Sequence, residues 1–292
     1  MQRESKQHNT GRLMILITAL LWGLAGVCVK SISWGPLPIV AVRSLISLIM
    51  LFGIKRSLRL KFSKKNLLGA FMMSATGILY VMAIKLTTAG TAIVLQYTAS
   101  VLVFVFAVLF RHRKARLAEL LLTLAVFAGC AISFLDSLDF TRLLGNALAL
   151  ASAFTFAGQI IIMNDQDCDT EDTAILSNIL SFLICLPFFF TEKLAFDAKN
   201  IVWLLIMAVF QYGLANALFA RNIHRVDPVE ASILLTLEPI FNPIPVAIFC
   251  GEKMGLLAIL GSVIVIAAVT LHGLLPKWEE KRAINKKSSG LS

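Results

Sequence analysis

Charge is scarce in this chain. Asp, Glu, Lys and Arg make up 15% of its 292 residues, whereas a soluble domain carries about 25%. So few charged groups cannot cover a globular surface, which excludes an ordinary soluble core protein. Cysteine is sparse too, and its spacing is uninformative. Cys28, Cys130, Cys168, Cys185 and Cys250 form no C-x-x-C pair, so neither a disulfide framework nor a zinc site is expected, and most read as small apolar packers. The four histidines, His8, His112, His224 and His272, fall in tails, connections or segment ends. No HExxH, GxSxG or Walker loop is present, which excludes direct use of ATP and leaves no catalytic constellation, metal or cofactor to expect. The chain reads as a non-enzyme.

What is abundant is apolar. Hydrophobic residues reach 58% and mean hydropathy is +0.82. Ten apolar segments can be drawn, at about 12–30, 36–54, 66–86, 90–110, 117–135, 142–163, 173–191, 200–220, 229–250 and 254–275. Each is near the roughly 20 residues that cross about 30 Å of hydrocarbon. Spans must satisfy their own backbone in lipid, so they are expected to be helices, and the connections leave no room for a soluble domain. The fold class expected is an all-α membrane protein. The first segment follows a short basic start, but bulky Val27 precedes Cys28 and no A-x-A site follows, so it reads as an uncleaved span rather than a secretion signal.

The net charge of +10 is concentrated between the apolar segments, which fits the positive-inside rule and not a nucleic-acid-binding face. With the N-terminus inside, 20 of the 27 Lys and Arg lie on the inner side and six on the outer, with Arg43 left within a segment. Both termini are therefore expected to be cytoplasmic. One inner connection, "NDQDCDTED" (164–172), has no Lys or Arg. Asp165, Asp167 and Asp169 are spaced like the start of a calcium loop, but Thr170 replaces its glycine and Leu176 its bidentate glutamate. A solvated loop with helix-capping acids is expected instead.

The chain also repeats. A shift of 139 lays 84–132 on 223–271, matching Ala92 with Ala231, Leu95 with Leu234 and Phe110 with Phe249; a shift of 132 lays "ALLWGLAG" on "ASAFTFAG". Five spans per half is an odd number, so the halves would face opposite ways, an arrangement of secondary transporters.

Three stretches carry a family resemblance: "ALLWGLAGVCVK", "QYTAS" and "DPVEASILLTLEPIFNPIPVAIFCGEK". Together they resemble the EamA family of the drug/metabolite transporter superfamily over about 12–275. The resemblance implies two inverted five-helix repeats, 12–135 and 142–275, followed by a basic cytoplasmic tail at 276–292. It also implies a location in the bacterial inner membrane and export of amino acids or related metabolites. The first half departs from the pattern, with Ser100 where relatives usually have proline and Arg113 near where they often have Glu.

Candidate site residues follow from polarity at depth. Glu238 lies about 10 residues into its segment, roughly 15 Å from the inner face, and an ionisable group there is a functional-site hypothesis. It is a candidate proton carrier, a contact for a substrate amine, or a structural hydrogen-bonding group. Pro239, Pro243 and Pro245 interrupt the same segment and mark it as a hinge lining a cavity. Arg43 is a candidate for a substrate carboxylate, a partner for Glu238, or a residue that snorkels outward. Tyr212 and Asn216 share a helix face with Gln211 beside them. Gln96, Tyr97, Tyr80, Gln159 and Trp22 add hydrogen bonds and aromatic walls, each also readable as interhelical glue. Ala149, Ala153 and Ala157 read as a packing stripe. The partners expected are a small-molecule substrate, the lipid bilayer and protons as coupling ion, with no nucleic acid. Rival readings are a multidrug exporter of cationic compounds and a membrane sensor or assembly subunit that transports nothing.

Overall fold

The computed structural model describes residues 2–110, 117–135 and 143–251, with scattered helical positions between 256 and 271. The expectations placed on 111–116 (with His112 and Arg113), most of the tenth segment, His272 and the 276–292 tail lie outside the described residues.

Every regular element among the described residues is helical. In chain order they are α1 (Gln2–Trp22), α2 (Ala25–Ser31), α3 (Pro36–Lys55), α4 (Lys64–Leu86), α5 (Ala89–Gln96), α6 (Ala99–Phe110), α7 (Leu117–Leu135), α8 (Leu143–Met163), α9 (Thr170–Thr191) and α10 (Ala198–Ile206). A π-helical segment (Met207–Leu214) leads into α11 (Ala215–Asn222) and a 3₁₀ turn (Ile223–Arg225), and α12 (Pro228–Leu235), α13 (Leu237–Phe241) and α14 (Pro243–Cys250) follow. Among the described residues, eight helical stretches are long and apolar enough to span a bilayer, the first at Gln7–Ser31 and the last at Pro228–Cys250. The chain is a multi-pass membrane protein. The fifth expected segment is helical as α7, Leu117–Leu135.

The starts of these helices are written in the sequence. Ser63, Thr88, Asp169 and Asp197 each accept the backbone N–H three residues on, supplying partners for amides that have none inside the helix. Pro36 and Pro228 occupy the first helical position, where the missing N–H is harmless. Two helices end in left-handed backbone, α3 at Arg56 (φ 54°) and α14 at Gly251 (φ 69°).

Several spans are broken, which hydropathy did not signal. The first segment, expected as unbroken over 12–30, starts as a helix at Gln2 and breaks between Trp22 and Ala25. A Cβ on Gly23 would lie 2.7 Å from the Phe241 ring, so only glycine lets this break approach α13. The fourth segment breaks at Tyr97–Thr98, and the ninth breaks at Thr236 and again at Asn242.

Tertiary packing joins the N-terminal half to the C-terminal half throughout. α4 lies against α8 and α9, α3 against α9 and the π segment, α1 against α11 and α12, and α6 against α8 and α12. Ala149, Ala153 and Ala157 are fully buried on α8, and small side chains of this kind let helix backbones approach. Large apolar side chains such as Ile49, Phe71, Phe154 and Ile248 point outward, as a lipid-facing surface requires.

Candidate functional site

The irregular spans converge on a cavity of about 50 Å³ in the middle of the bundle. Nine of the ten residues singled out as binding candidates line it: Trp22, Arg43, Tyr80, Gln96, Gln159, Gln211, Tyr212, Asn216 and Glu238. The tenth, Tyr97, stands behind Glu238 and donates its O–H to Oε2 at 2.6 Å. Tyr97 is 1% exposed and packs edge-on against Phe156, so its hydroxyl is fixed and orients the carboxyl.

Each wall has a local cause. Trp22, at the end of α1, is held by Phe156 and Phe219 and donates Nε1–H to Asn216 Oδ1 at 3.2 Å. Gln211 and Tyr212 come from the π segment. A π turn inserts a residue into the helical ladder and re-aims side chains, and such turns are frequent at functional sites. Glu238 sits on the five-residue α13 between the two breaks. Pro239 and Pro243 fall in the first turns of α13 and α14, where the lost N–H has no intrahelical partner in any case. The Asn242 N–H bonds the Glu238 carbonyl at 2.8 Å, and the helix restarts at Pro243.

Arg43 neither snorkels nor pairs with Glu238. It is 2% exposed, donates Nη2–H to the Gly77 carbonyl at 3.0 Å, and lies over the Tyr212 ring with Cζ 4.1 Å from the centroid. That is one hydrogen bond from five N–H donors, and Nε–H is buried with no partner among the described residues. A desolvated cation–π contact contributes about 2 kcal/mol and a charge-assisted hydrogen bond about 1.5–3. Burying the ion costs several kcal/mol, and each buried donor left unpaired adds about 1–3. The protein alone leaves this guanidinium under-satisfied. Tyr80 Oη, Tyr212 Oη, Gln211 Oε1 and Asn216 Nδ2 are likewise buried without a partner among the described residues. The cavity is therefore a pocket of unmet donors and acceptors between aromatic walls, with a guanidinium and a carboxyl that do not neutralise each other.

Sequence reasoning missed four lining residues, Met73, Thr76, Gly77 and Phe156. Gly77 had a readable reason to matter: a Cβ there would meet Arg43 Nη2 at 2.7 Å and Tyr212 Oη at 3.3 Å. The other three look like ordinary span residues.

The acidic 164–172 connection has another role. Asp165 and Asp167 accept from Lys65 Nζ at 2.9 and 2.8 Å, Asp169 from Lys61 at 3.0 Å, and buried Asp172 pairs with Lys55. The loop is therefore not simply solvated, although Asp169 does cap α9 as expected. Burial works to raise the Asp169 carboxyl, but the Lys61 ammonium and the Asp172 amide outweigh it and hold the group below its ordinary range. No cluster suited to a metal ion occurs among the described residues. On the opposite face, hydrogen bonds join the halves, among them one from the Gly35 N–H to the Glu192 carboxylate at 3.1 Å. Ser33 and Asn200 exchange hydrogen bonds at 2.8 and 2.9 Å, and Trp34 Nε1–H donates to the Ala195 carbonyl at 2.7 Å.

Comparison with known proteins agrees with this architecture. An uncharacterized inner membrane transporter of Salmonella typhimurium strain LT2, YicL, is 24% identical over 286 residues, covering 90% of this chain and 95% of its own. A solved crystal structure of another protein superposes with a TM-score of 0.75 at 15% identity, over 92% of this chain and 98% of that one, which speaks to the fold alone. The model of the EamA-like transporter family matches residues 9–135 and again 143–274, nearly the whole length in two successive copies, and the chain belongs to that family.

Proposed function

We propose that this protein is a secondary transporter of the bacterial inner membrane that moves small polar metabolites by alternating access between two inverted five-helix halves. The observation that carries the reading is the membrane-buried cavity with unmet polar groups, walled by broken spans. Interrupted helices around a midplane site are the usual construction of secondary transporters. The breaks support a repeat: α5 (Ala89–Gln96) and α12 (Pro228–Leu235) have the same bounds under the 139-residue shift, and an odd number of spans per half would invert it. The charge count favours cytoplasmic termini.

The size of the cavity favours compact solutes. At roughly 10–15 Å³ per water, about 50 Å³ holds a few waters. Glu238, set by Tyr97, is the group for a coupling proton or a substrate amine. Export of amino acids or related compounds is the direction we infer.

Mass spectrometry of growth medium tests this, comparing cells that hold wild type, Glu238→Ala and Arg43→Ala at matched membrane levels. A metabolite that accumulates outside only with wild type supports export through this cavity. Identical media for wild type and empty vector would sink export of the metabolites surveyed.

A further inference from the structure

We propose that Arg43 is an oxyanion-binding residue that selects solutes carrying a carboxylate. The inference rests on the transporter reading and adds a substrate class to it. A buried arginine in a membrane protein pairs with an acidic residue or with backbone carbonyls. Here the acidic residue lining the same cavity, Glu238, is engaged by Tyr97 at 2.6 Å. Among the described residues Arg43 makes no ion pair, and its one hydrogen bond goes to a neutral carbonyl, that of Gly77.

The surroundings fix the guanidinium rather than neutralise it. Tyr212 holds Cζ 4.1 Å from its ring centroid, and the Gly77 carbonyl holds Nη2 at 3.0 Å. Gly77 leaves room for Nη2 where a Cβ would lie only 2.7 Å away. A planar fork held in this way matches the two oxygens of a carboxylate, which a point charge would not. The hydroxyls of Tyr80 and Tyr212 and the amides of Gln211 and Asn216 stand around the same space with unpartnered atoms. They suit the remaining polar groups of a compact solute. Glu238 faces the same cavity and offers an acceptor to an amine, so a small zwitterion satisfies both ends.

The test uses purified full-length protein and a panel with defined chemistry: the twenty proteinogenic amino acids, the α-amide of each, and acetate, lactate and pyruvate. Binding is read as ligand-induced thermal stabilisation and titrated by calorimetry. The expected result is that at least one carboxylate stabilises wild type and its amide does not. Arg43→Gln should weaken that binding by about ten- to a hundredfold, the worth of a charge-assisted hydrogen bond, and Arg43→Lys should recover part of it. Ile49→Ala, on the outward face of α3 and away from the cavity, controls for general disturbance of the protein and should retain the preference for carboxylate over amide. Amides that bind as well as acids would overturn the proposal. So would a panel in which no carboxylate binds, or an Arg43→Gln protein that keeps full carboxylate affinity. Proteoliposome flux of the bound solute separates the two readings. Arg43-dependent binding without flux refutes transport and leaves the oxyanion site. Flux with equal rates for acid and amide refutes the site and leaves transport.

Discussion

The Lys55–Asp172 pair offers a sharp test of how the two halves are held together. Asp172 is 1% exposed and the Lys55 side chain 15%. The carboxylate's other oxygen accepts the Lys61 backbone N–H at 2.9 Å, and Lys55 Nζ also donates to the Arg59 carbonyl at 2.5 Å. The two deletions are therefore unequal. Lys55→Met strands a buried carboxylate with a single amide donor, which costs about 3–5 kcal/mol. Asp172→Asn leaves a lysine with a carbonyl partner and a path to water along its flexible stem, so the loss falls to about 1–3 kcal/mol. The double variant strands neither charge, so it should be more stable than Lys55→Met alone, and the cycle should show a coupling of about 1–3 kcal/mol. Equilibrium unfolding of the purified protein in mixed micelles measures all four corners. The exposed Lys65–Asp165 and Lys65–Asp167 pairs supply the contrast, since such pairs contribute about 0–1 kcal/mol and fade with salt. If Lys55→Met and Asp172→Asn each change stability by less than about 0.5 kcal/mol, the burial reasoning is wrong and this pair behaves like the exposed ones.

Other outcomes are expected elsewhere. Glu238→Gln should abolish pH-driven transport in proteoliposomes while sparing solute exchange if the proton is carried there; loss of both modes would assign the residue to binding or structure. Tyr97→Phe removes the one hydroxyl that orients that carboxyl and should lower the transport rate by about tenfold, the equivalent of a hydrogen bond to a charged group, with membrane levels unchanged. Gly77→Ala forces Arg43 or Tyr212 to move and should reduce solute affinity more than Gly53→Ala, where a Cβ meets nothing within 4 Å. At the rim, the Asp169 carboxyl lies below its ordinary range and the Lys61 ammonium above its own, through its hydrogen bond to Asp169. The aspartate's contribution is present above about pH 4 and fades as pH falls through its folded value. The lysine's is complete below about pH 10 and fades as pH rises through its own. Asp169→Asn should lower stability at neutral pH, converge with wild type in acid, and so flatten the acid limb of a stability–pH curve.

The spans were legible in the sequence because one physical requirement, roughly 20 apolar residues per crossing, dominates a membrane chain. The buried polar residues were legible for the same reason. A glutamate or arginine inside such a run needs a partner, so composition alone brought Glu238, Arg43 and the Gln–Tyr–Asn set forward. Geometry within a helix was not legible. The break after Trp22 and the π turn at Met207–Leu214 leave no mark in hydropathy, because they depend on which neighbour approaches which face. The 139-residue register lays the break of the fourth span on the first break of the ninth, a correspondence visible only in the structure, and the 132-residue register set Trp22 against Phe154, which is exposed, while Phe156 takes the cavity wall. The acidic loop was misread as merely solvated because its partners, Lys55, Lys61 and Lys65, lie about a hundred residues away, and only the fold brings them together.

Those partners carry a relation that no single contact has. Exchange each element for its counterpart in the other matched segment, and two sets of ties map onto one another, one between the halves and one within each half. The connection after α3 meets the connection before α9 through Lys61 and Asp169. Its counterpart after α9 meets the connection before α3 through Asn200 and Ser33, on the opposite face. At the end of the first span, Lys85 Nζ donates to the Ile32 carbonyl. At the end of the sixth, Asn164 Nδ2 donates to the carbonyls of Ile223 and Val226, again on the other face. The exchange changes the chemistry but keeps the pairing. The ion pairs of the first set gather on one face, but the other face carries charge too: the Glu192 carboxylate accepts the Gly35 N–H at 3.1 Å, and the Lys85 ammonium sits on the Ile32 carbonyl. Salt and pH therefore act on both rims.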